Sequence, residues 1–392
     1  MKILVVHNFY GDYSIGGEAN VFYNEVNLLK EHGHEVFTYE ATNQELFRFN
    51  ILKKIKFFLN PGWSKESYQK FSKILDKIKP DIVHFHNYKY VLSPSVIKAA
   101  KDKNIPTVLT IHNYRMLCPA GHFLRNNKPC ELCFQKGFPE RIFIHLCANN
   151  SLKDTYFMYR LYKKLKHHQW LSNFVDSYIV LSNFAKEKYI KLGLPKENVY
   201  FKPNFIKKEI SISPVEVPFE KFILYMGRLS YEKGIHLITP HWSNNFPPLV
   251  VVGDGPLMIK MKTEASSNVY FAGNLLHKQA MYLLSKSMFV IFPSILYEGM
   301  PLVILEAMLL NKAVIASNLG PRKEMVIDKV NGFLFDISKK DDFDEKVRML
   351  LENNRYLEFG KNAYAIFKEK YDSERNYKIL IDIYEKTIAR NK

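Results

Sequence analysis

No stretch of eighteen uncharged apolar residues occurs in this 392-residue chain, so the sequence offers no segment able to cross a bilayer as a helix. The opening run MKILVVHNFYGDYS is too short in its apolar part for a secretory leader and reads as a first strand. A cytoplasmic protein is expected. Cysteine is scarce. The four present, Cys118, Cys130, Cys133 and Cys147, share one short window, and disulfides do not suit a cytosolic chain. Internal repeats and low-complexity tracts are missing, and so is the G-x-G-x-x-G spacing of dinucleotide folds. Acidic residues fall short of basic ones, 39 against 56, which leaves a formal charge of +17. Such an excess draws anions: nucleic acid, anionic lipid or phosphorylated substrates.

The length favours two or three domains, and 47% apolar residues is ordinary for globular ones. Phenylalanine (29) and tyrosine (24) are plentiful, and basic residues interleaved with aromatics suit a membrane surface better than a DNA groove. Two segments concentrate this chemistry. Residues 45–79 set eight lysines among Phe47, Phe49, Phe57, Phe58, Trp63, Tyr68 and Phe71, with Pro61-Gly62 breaking them into two helices. Residues 151–170 set Tyr156, Phe157, Tyr159, Tyr162 and Trp170 beside Arg160, Lys163, Lys164, Lys166, His167 and His168. The plainer reading is amphipathic helices covering a sheet with lysines in water. The other is an outer face that meets anionic phospholipid.

Strand, helix and strand alternate from the start. Lys2–Val6 is a β-branched run, a helix follows Gly16-Gly17 and ends near Gly33, and 35–39 is a second strand. This grammar implies a parallel sheet. Gly16 and Gly17 sit at a strand-to-helix turn, where a backbone can cradle an anion. Residues 106–111 form a strand that ends in His112, at the ligand-facing edge of an open α/β sheet; His84 and His86 are weaker candidates. The window 117–147 is rich in turn formers. Its four cysteines either hold a structural zinc or are reduced thiols, some buried as small hydrophobes. Residues 203–219 read as an interdomain linker. Beyond it, 222–226 restarts the strand pattern, and Gly227-Arg228-Leu229 and Lys233-Gly234 follow.

The stretch 293–308, PSILYEGMPLVILEAM, organises the second half. An apolar strand, 287–292, precedes it, and 302–310 has helical spacing. Gly299, Met300 and Pro301 therefore lie between a strand's carboxyl end and a helix's amino end, where backbone N–H groups attract phosphate. Glu298 and Glu306, with seven residues between them, flank that turn. Carboxylates repel phosphates, so their natural partners are neutral hydroxyls, such as those of a sugar ring and a ribose. The pattern suggests a nucleotide-sugar site.

The E-x7-E pattern within PS…YEG.P…LEAM, joined to GRL-x3-KG, resembles the retaining family-4 glycosyltransferases of the GT-B fold, of the bacterial surface-polysaccharide type. The resemblance implies two Rossmann-like domains facing across a cleft, 1–203 and 204–372, with a final helix, 373–392, crossing back onto the first. It implies that Arg228 and Lys233 clamp the donor diphosphate, doing what a metal does elsewhere, with no cofactor required for catalysis. Glu306 would hold the ribose, Glu298 the sugar hydroxyls, and the backbone of Gly299 to Leu302 further donor atoms. Backbone near Phe271 and Asn274 would meet the base, Gly16 and Gly17 would lie near the phosphates, and His112 would position the sugar. The implied reaction moves a hexose or N-acetylhexosamine, with retention, from a UDP-linked donor to a saccharide acceptor carried on lipid. Capsule, exopolysaccharide or lipopolysaccharide assembly would use it, peripherally at the inner face of the cell membrane. An epimerase or hydrolase on the same fold stays open, as does a non-catalytic nucleic-acid-binding protein suggested by charge alone.

Overall fold

Short, continuous apolar runs build two all-parallel sheets in the computed structural model, which describes residues 1–11, 16–118, 121, 123–135, 141–148, 150–167, 173–339 and 341–391. Such runs are what strands buried on both faces require. The chain divides into two compact units. The first comprises Met1–His122, Glu131–Asn204 and Ser373–Lys392, and the second Phe123–Cys130 and Phe205–Asp372.

In the first unit, β1 (Lys2–Phe9), β2 (Glu35–Thr42), β3 (Ile82–Phe85) and β4 (Thr107–Ile111) precede a small hairpin, β5 (Leu124–Arg125) and β6 (Lys128–Pro129), that groups with the second unit. The strands β7 (Ser177–Val180) and β8 (Val199–Phe201) complete the first sheet, in the order β2-β1-β3-β4-β7-β8. Every pairing in it is parallel; Ile3 lies against both Val36 and Ile82. Helix α1 (Gly17–Glu31) buries Ala19, Phe22, Val26 and Leu29 against this sheet. The C-terminal helix, Ser373–Arg390, returns to the same core, where Leu380, Ile383 and Tyr384 pack with Ile3, Val5 and Phe22. Polar contacts fix it: Ser177 Oγ meets Thr387 Oγ1 at 2.7 Å, and Arg390 donates to Asn198 Oδ1.

The two lysine-rich segments behave differently from a simple covering layer. Gly62, at φ 80°, separates α2 (Ile51–Leu59) from α3 (Lys65–Ile78). Helix α3 buries Phe71 and Leu75 in the expected way. Helix α2 instead turns Phe57 and Phe58 onto Phe157 and Tyr156 of α4 (Leu152–His167), with ring centroids 5.3–6.1 Å apart, and leaves Ile51, Leu52, Ile55 and Leu59 exposed. His168 and Trp170 of the second basic-aromatic segment lie outside the described residues, as do the side chains of Lys164, Lys166 and His167.

The second unit repeats the architecture with β9 (Ile223–Met226), β10 (Leu249–Val252), β11 (Val269–Gly273), β12 (Val290–Phe292), β13 (Val314–Ser317) and β14 (Gly332–Phe335). Their order is β11-β10-β9-β12-β13-β14, all parallel. Helix α5 (His277–Lys286) leads into β12, and α6 (Leu302–Leu309) leaves it. The strand order reverses between β9 and β12. In an open parallel sheet that reversal splays the loops at the strands' carboxyl ends and opens a ligand crevice there. The loops at this switch are those carrying Arg228, Lys233 and Glu298.

Candidate active site

The two switch-point loops of the second unit interlock through backbone contact. Gly234 has φ 73°, and a Cβ there would stand 2.1 Å from the carbonyl oxygen of Pro293. Only glycine lets the GRL-x3-KG loop lie flat on the loop after β12. Ile295 N–H donates to the Glu232 carbonyl at 3.0 Å, which joins the loops a second time. The Gly253-Asp254-Gly255 turn after β10 supports the other side. A Cβ on Gly253 would meet the Gly227 carbonyl at 2.0 Å, and the Leu229 N–H donates to the Asp254 carbonyl at 2.9 Å. These glycines thus serve loop-on-loop packing beneath Arg228.

Held this way, Lys233 reaches Glu298. Its Nζ donates to Glu298 Oε1 at 2.7 Å, and Ser294 Oγ donates to the same oxygen at 3.0 Å. The pair is largely covered, with 27% and 15% of the two side chains exposed. Burial pushes the Glu298 carboxyl up, but the Lys233 ammonium, the guanidinium of Arg322 and the Ser294 hydroxyl outweigh it and hold the group below the usual carboxylate range. Arg322 is fully buried behind this loop. It donates to the carbonyls of Ser317 and Leu296 at 3.0 and 2.9 Å. Arg228 is exposed at the mouth of its loop, and Tyr225 OH donates to its carbonyl at 3.0 Å.

The turn Gly299–Pro301 connects β12 to α6 as read from sequence, with Met300 buried and Pro301 in the extended N-cap conformation. Gly299 and Leu302 are half-buried. Glu306 lies inside α6 and accepts from His277 Nε2 at 2.8 Å. That hydrogen bond raises the His277 pKa against the opposing pull of burial. His277 opens α5, just beyond Asn274, which is exposed. The Phe271 side chain packs toward the core of the unit, so any ligand role at that position is left to backbone. The Asp342-Phe343-Asp344 run sits at a helix start, where Asp342 accepts the Asp336 N–H at 2.6 Å and ties the helix to the residue that follows β14.

In the first unit, Gly16 (φ 113°) caps α1, and Gly17 begins it; both are exposed. In the first turn, Glu18 accepts from Asn113 Nδ2 at 2.9 Å, next to His112 in sequence. His112 follows β4 and remains partly open. Behind it, its Nε2 meets His86 Nδ1 at 3.0 Å, and His86 Nε2 meets Glu25 Oε1 at 3.0 Å. Glu25 is fully buried and ion-paired with the buried Lys202 at 2.7 Å. His84 also faces Glu25 at 2.9 Å and contacts Thr110 Oγ1 and Tyr384 OH, each at 2.7 Å.

Glu25, Lys202 and His277 were not singled out from sequence. Glu25 had a signal, being an acid within the apolar stripe Val21, Phe22, Val26 and Leu29 of α1. His277 had none, because its partner lies on another helix. The cysteines do not converge. Among the described residues, the one group of His, Cys, Asp or Glu within metal-ligand reach is Glu25, His84 and His86. Cys118 is buried, and Cys130, Cys133 and Cys147 are half-buried. That geometry lends no support to a four-thiolate zinc site.

A family model described as Glycosyltransferase Family 4 matches residues 15–209, and one described as Glycosyl transferases group 1 matches residues 207–366. The chain is 24% identical over 395 aligned residues to the uncharacterized glycosyltransferase MJ1178 of Methanocaldococcus jannaschii, covering 98% of each. It is 27% identical to the O-antigen chain mannosyltransferase C of Escherichia coli, over 42% of this chain and 46% of that one. Among solved structures, HepE of Anabaena in complex with UDP superposes with a TM-score of 0.67 at 17% identity, covering 98% of this chain and all of that one. At that identity the superposition speaks for the fold alone.

Proposed function

Because this chain is a glycosyltransferase of the GT-B type, we propose that it transfers a hexose or N-acetylhexosamine, with retention, from a UDP-linked donor to a lipid-carried saccharide in surface-polysaccharide assembly. The observation that carries the donor half is the Lys233–Glu298 pair at the sheet's switch point, with Glu306–His277 on the adjoining helices. Glycosyl–phosphate cleavage leaves negative charge on the nucleoside diphosphate. Arg228 and Lys233 are the cations to stabilise it, in the place a metal ion takes in other transferases. Glu298 and Glu306 would accept hydrogen bonds from hydroxyls of sugar and ribose, the backbone N–H groups of Gly299, Met300 and Leu302 would meet the diphosphate beside Pro301, and His112 would position the sugar. No carboxylate is assigned as a nucleophile; the leaving phosphate would take the acceptor's proton on the same face.

The acceptor half draws on α2. Ile51, Leu52, Ile55 and Leu59 of α2 expose 50–77% of their surface, at spacings that keep them along one side of the helix, with Lys54 exposed among them. Apolar residues beside lysines on an otherwise basic protein complement an anionic bilayer, where insertion and charge attraction reinforce each other. The relative from Escherichia coli, named for the O-antigen chain, supports the polysaccharide assignment.

The test is a panel of UDP-sugars with and without lipid-linked acceptors, following both nucleotide release and the anomeric configuration of the product. Release that depends on acceptor, with retained configuration, supports the proposal. Release without acceptor would identify a hydrolase, and interconversion of the donor an epimerase. Vesicle flotation of the wild type and an Ile51→Glu, Ile55→Glu variant tests the surface. Equal flotation with and without anionic lipid would remove the membrane from the account.

A further inference from the structure

Hydrogen-bond direction along one buried chain of side chains assigns a role to residues outside the site just proposed. Lys202, 1% exposed, follows β8; its ammonium pairs with Glu25 Oε2, so the charge of Glu25 is already matched within the core. A carboxylate only accepts. The 3.0 Å contact from His86 Nε2 to Glu25 Oε1 therefore places a proton on that nitrogen. A neutral His86 then has a bare Nδ1, which can only accept. Its 3.0 Å contact to His112 Nε2 requires that nitrogen to carry the proton. The rings of His86 and His112 are stacked, 5.2 Å between centroids, so the orientation is fixed as well as the direction.

We propose that Lys202, Glu25 and His86 form a positioning relay that holds His112 as its Nε2–H tautomer. His112 then presents a bare Nδ1 to its ligand and accepts a hydrogen bond from a sugar hydroxyl. This rests on the transfer reading for the identity of the ligand, but the tautomer does not. The neutral state has independent support. Burial is the largest cause holding the His112 pKa well below the ordinary histidine value, and it acts whatever the charge of its neighbours. Glu25, His84 and His86 also lie at metal-ligand spacing. The Lys202 ammonium stands where such a cation's charge would be needed, so the cluster reads as an internal ion pair.

The consequence is a specificity. A group that can only accept, such as a carbonyl or phosphate oxygen, gains nothing from His112. The experiment is two-bond proton–nitrogen correlation on the full chain with nitrogen-15 histidine near neutral pH, with His112 assigned by loss of its signals in His112→Gln. The expected pattern is a protonated, pyrrole-type Nε2 and a pyridine-type Nδ1. In His86→Phe that pattern should give way to mixed tautomers, and kcat should fall roughly tenfold to a hundredfold with a smaller change in donor KM, as misplacement of a positioning group does. His86→Leu removes donor and acceptor alike in a smaller apolar side chain, and should show the same loss. Thr110→Val removes a partner of His84 without touching the relay, so the His112 pattern and kcat should persist. A pyrrole-type Nδ1 in the wild type, or wild-type kcat in both His86 variants, would overturn the relay. The expected nitrogen pattern in a protein that transfers no sugar would uphold the relay and overturn the proposed function.

Discussion

Replacing Lys233 by Met separates two things its ammonium does. The substitution keeps the length and apolar stem of the side chain but deletes the charge 2.7 Å from Glu298. Glu298 is mostly covered, and burial alone pushes its carboxyl up. Without Lys233 it retains Ser294 and the more distant Arg322, so it should bind a proton more readily and the fold should weaken. Removing one partner of a fully buried pair costs about 3–5 kcal/mol. Here roughly a quarter of the lysine remains in water and a hydroxyl still serves the carboxylate. The loss should be nearer ~1–2 kcal/mol in a denaturant titration. Turnover should fall further, by about 10²–10³ in kcat, because a preorganised cation facing developing charge is worth that much in a dry site. The double variant Lys233→Met, Glu298→Gln distinguishes the two effects. An amide at 298 needs no counter-charge, so stability should recover. The diphosphate would still lack its cation, so kcat should not. Steady-state kinetics of nucleotide release against donor concentration gives the answer. If the second substitution restored turnover, the only business of Lys233 would be to neutralise Glu298, and the clamp reasoning would be refuted.

Glu306→Ala should weaken binding of the nucleotide alone by about 1.5–3 kcal/mol, the range for hydrogen bonds to a charged group, read by calorimetry. An unchanged Kd would detach Glu306 from the donor. Gly234→Ala forces a Cβ into the Pro293 carbonyl at φ 73°; it should cost at least ~2 kcal/mol of stability and lower donor affinity with it, since both loops must shift. His84 and His7 are held neutral in the core, with pKa values lowered to about 4 and about 3 by burial first. The unfolded chain therefore binds more protons between those values and about 6.5, and stability should rise with pH there by up to ~1.4 kcal/mol per unit for each histidine. A denaturant midpoint that stays flat from about pH 4.5 to 6.5 would contradict neutral burial. Transfer should persist after dialysis against a chelator if Arg228 and Lys233 take the part of a metal; its loss on chelation, restored by a divalent ion, would overturn that assignment.

Much of the architecture was legible because its signals are local. A parallel strand buried on both faces appears as a short apolar run, and β1, β4, β9 and β12 each do so within a few residues of the expected limits. The Glu298–Glu306 bracket also lies within one strand–turn–helix, so adjacency in the chain became adjacency at one sheet edge. The outward apolar side of α2 was less legible. A period of 3.6 shows that a helix has two faces, but not which of them a neighbour will cover; α4 took Phe57 and Phe58.

Residue order alone determined the two parallel sheets, the glycine-bearing turns and the stretch in which opposite charges gather. Only tertiary structure decided that Lys233 lands on Glu298, that His277 finds Glu306, and that Lys202 reaches across the core to Glu25 and thereby orders His86 and His112. The physical reason is range. Strand burial and turn chemistry act over a few residues, whereas a buried charge must find its counter-charge wherever the fold brings one, and no spacing in the chain records that meeting.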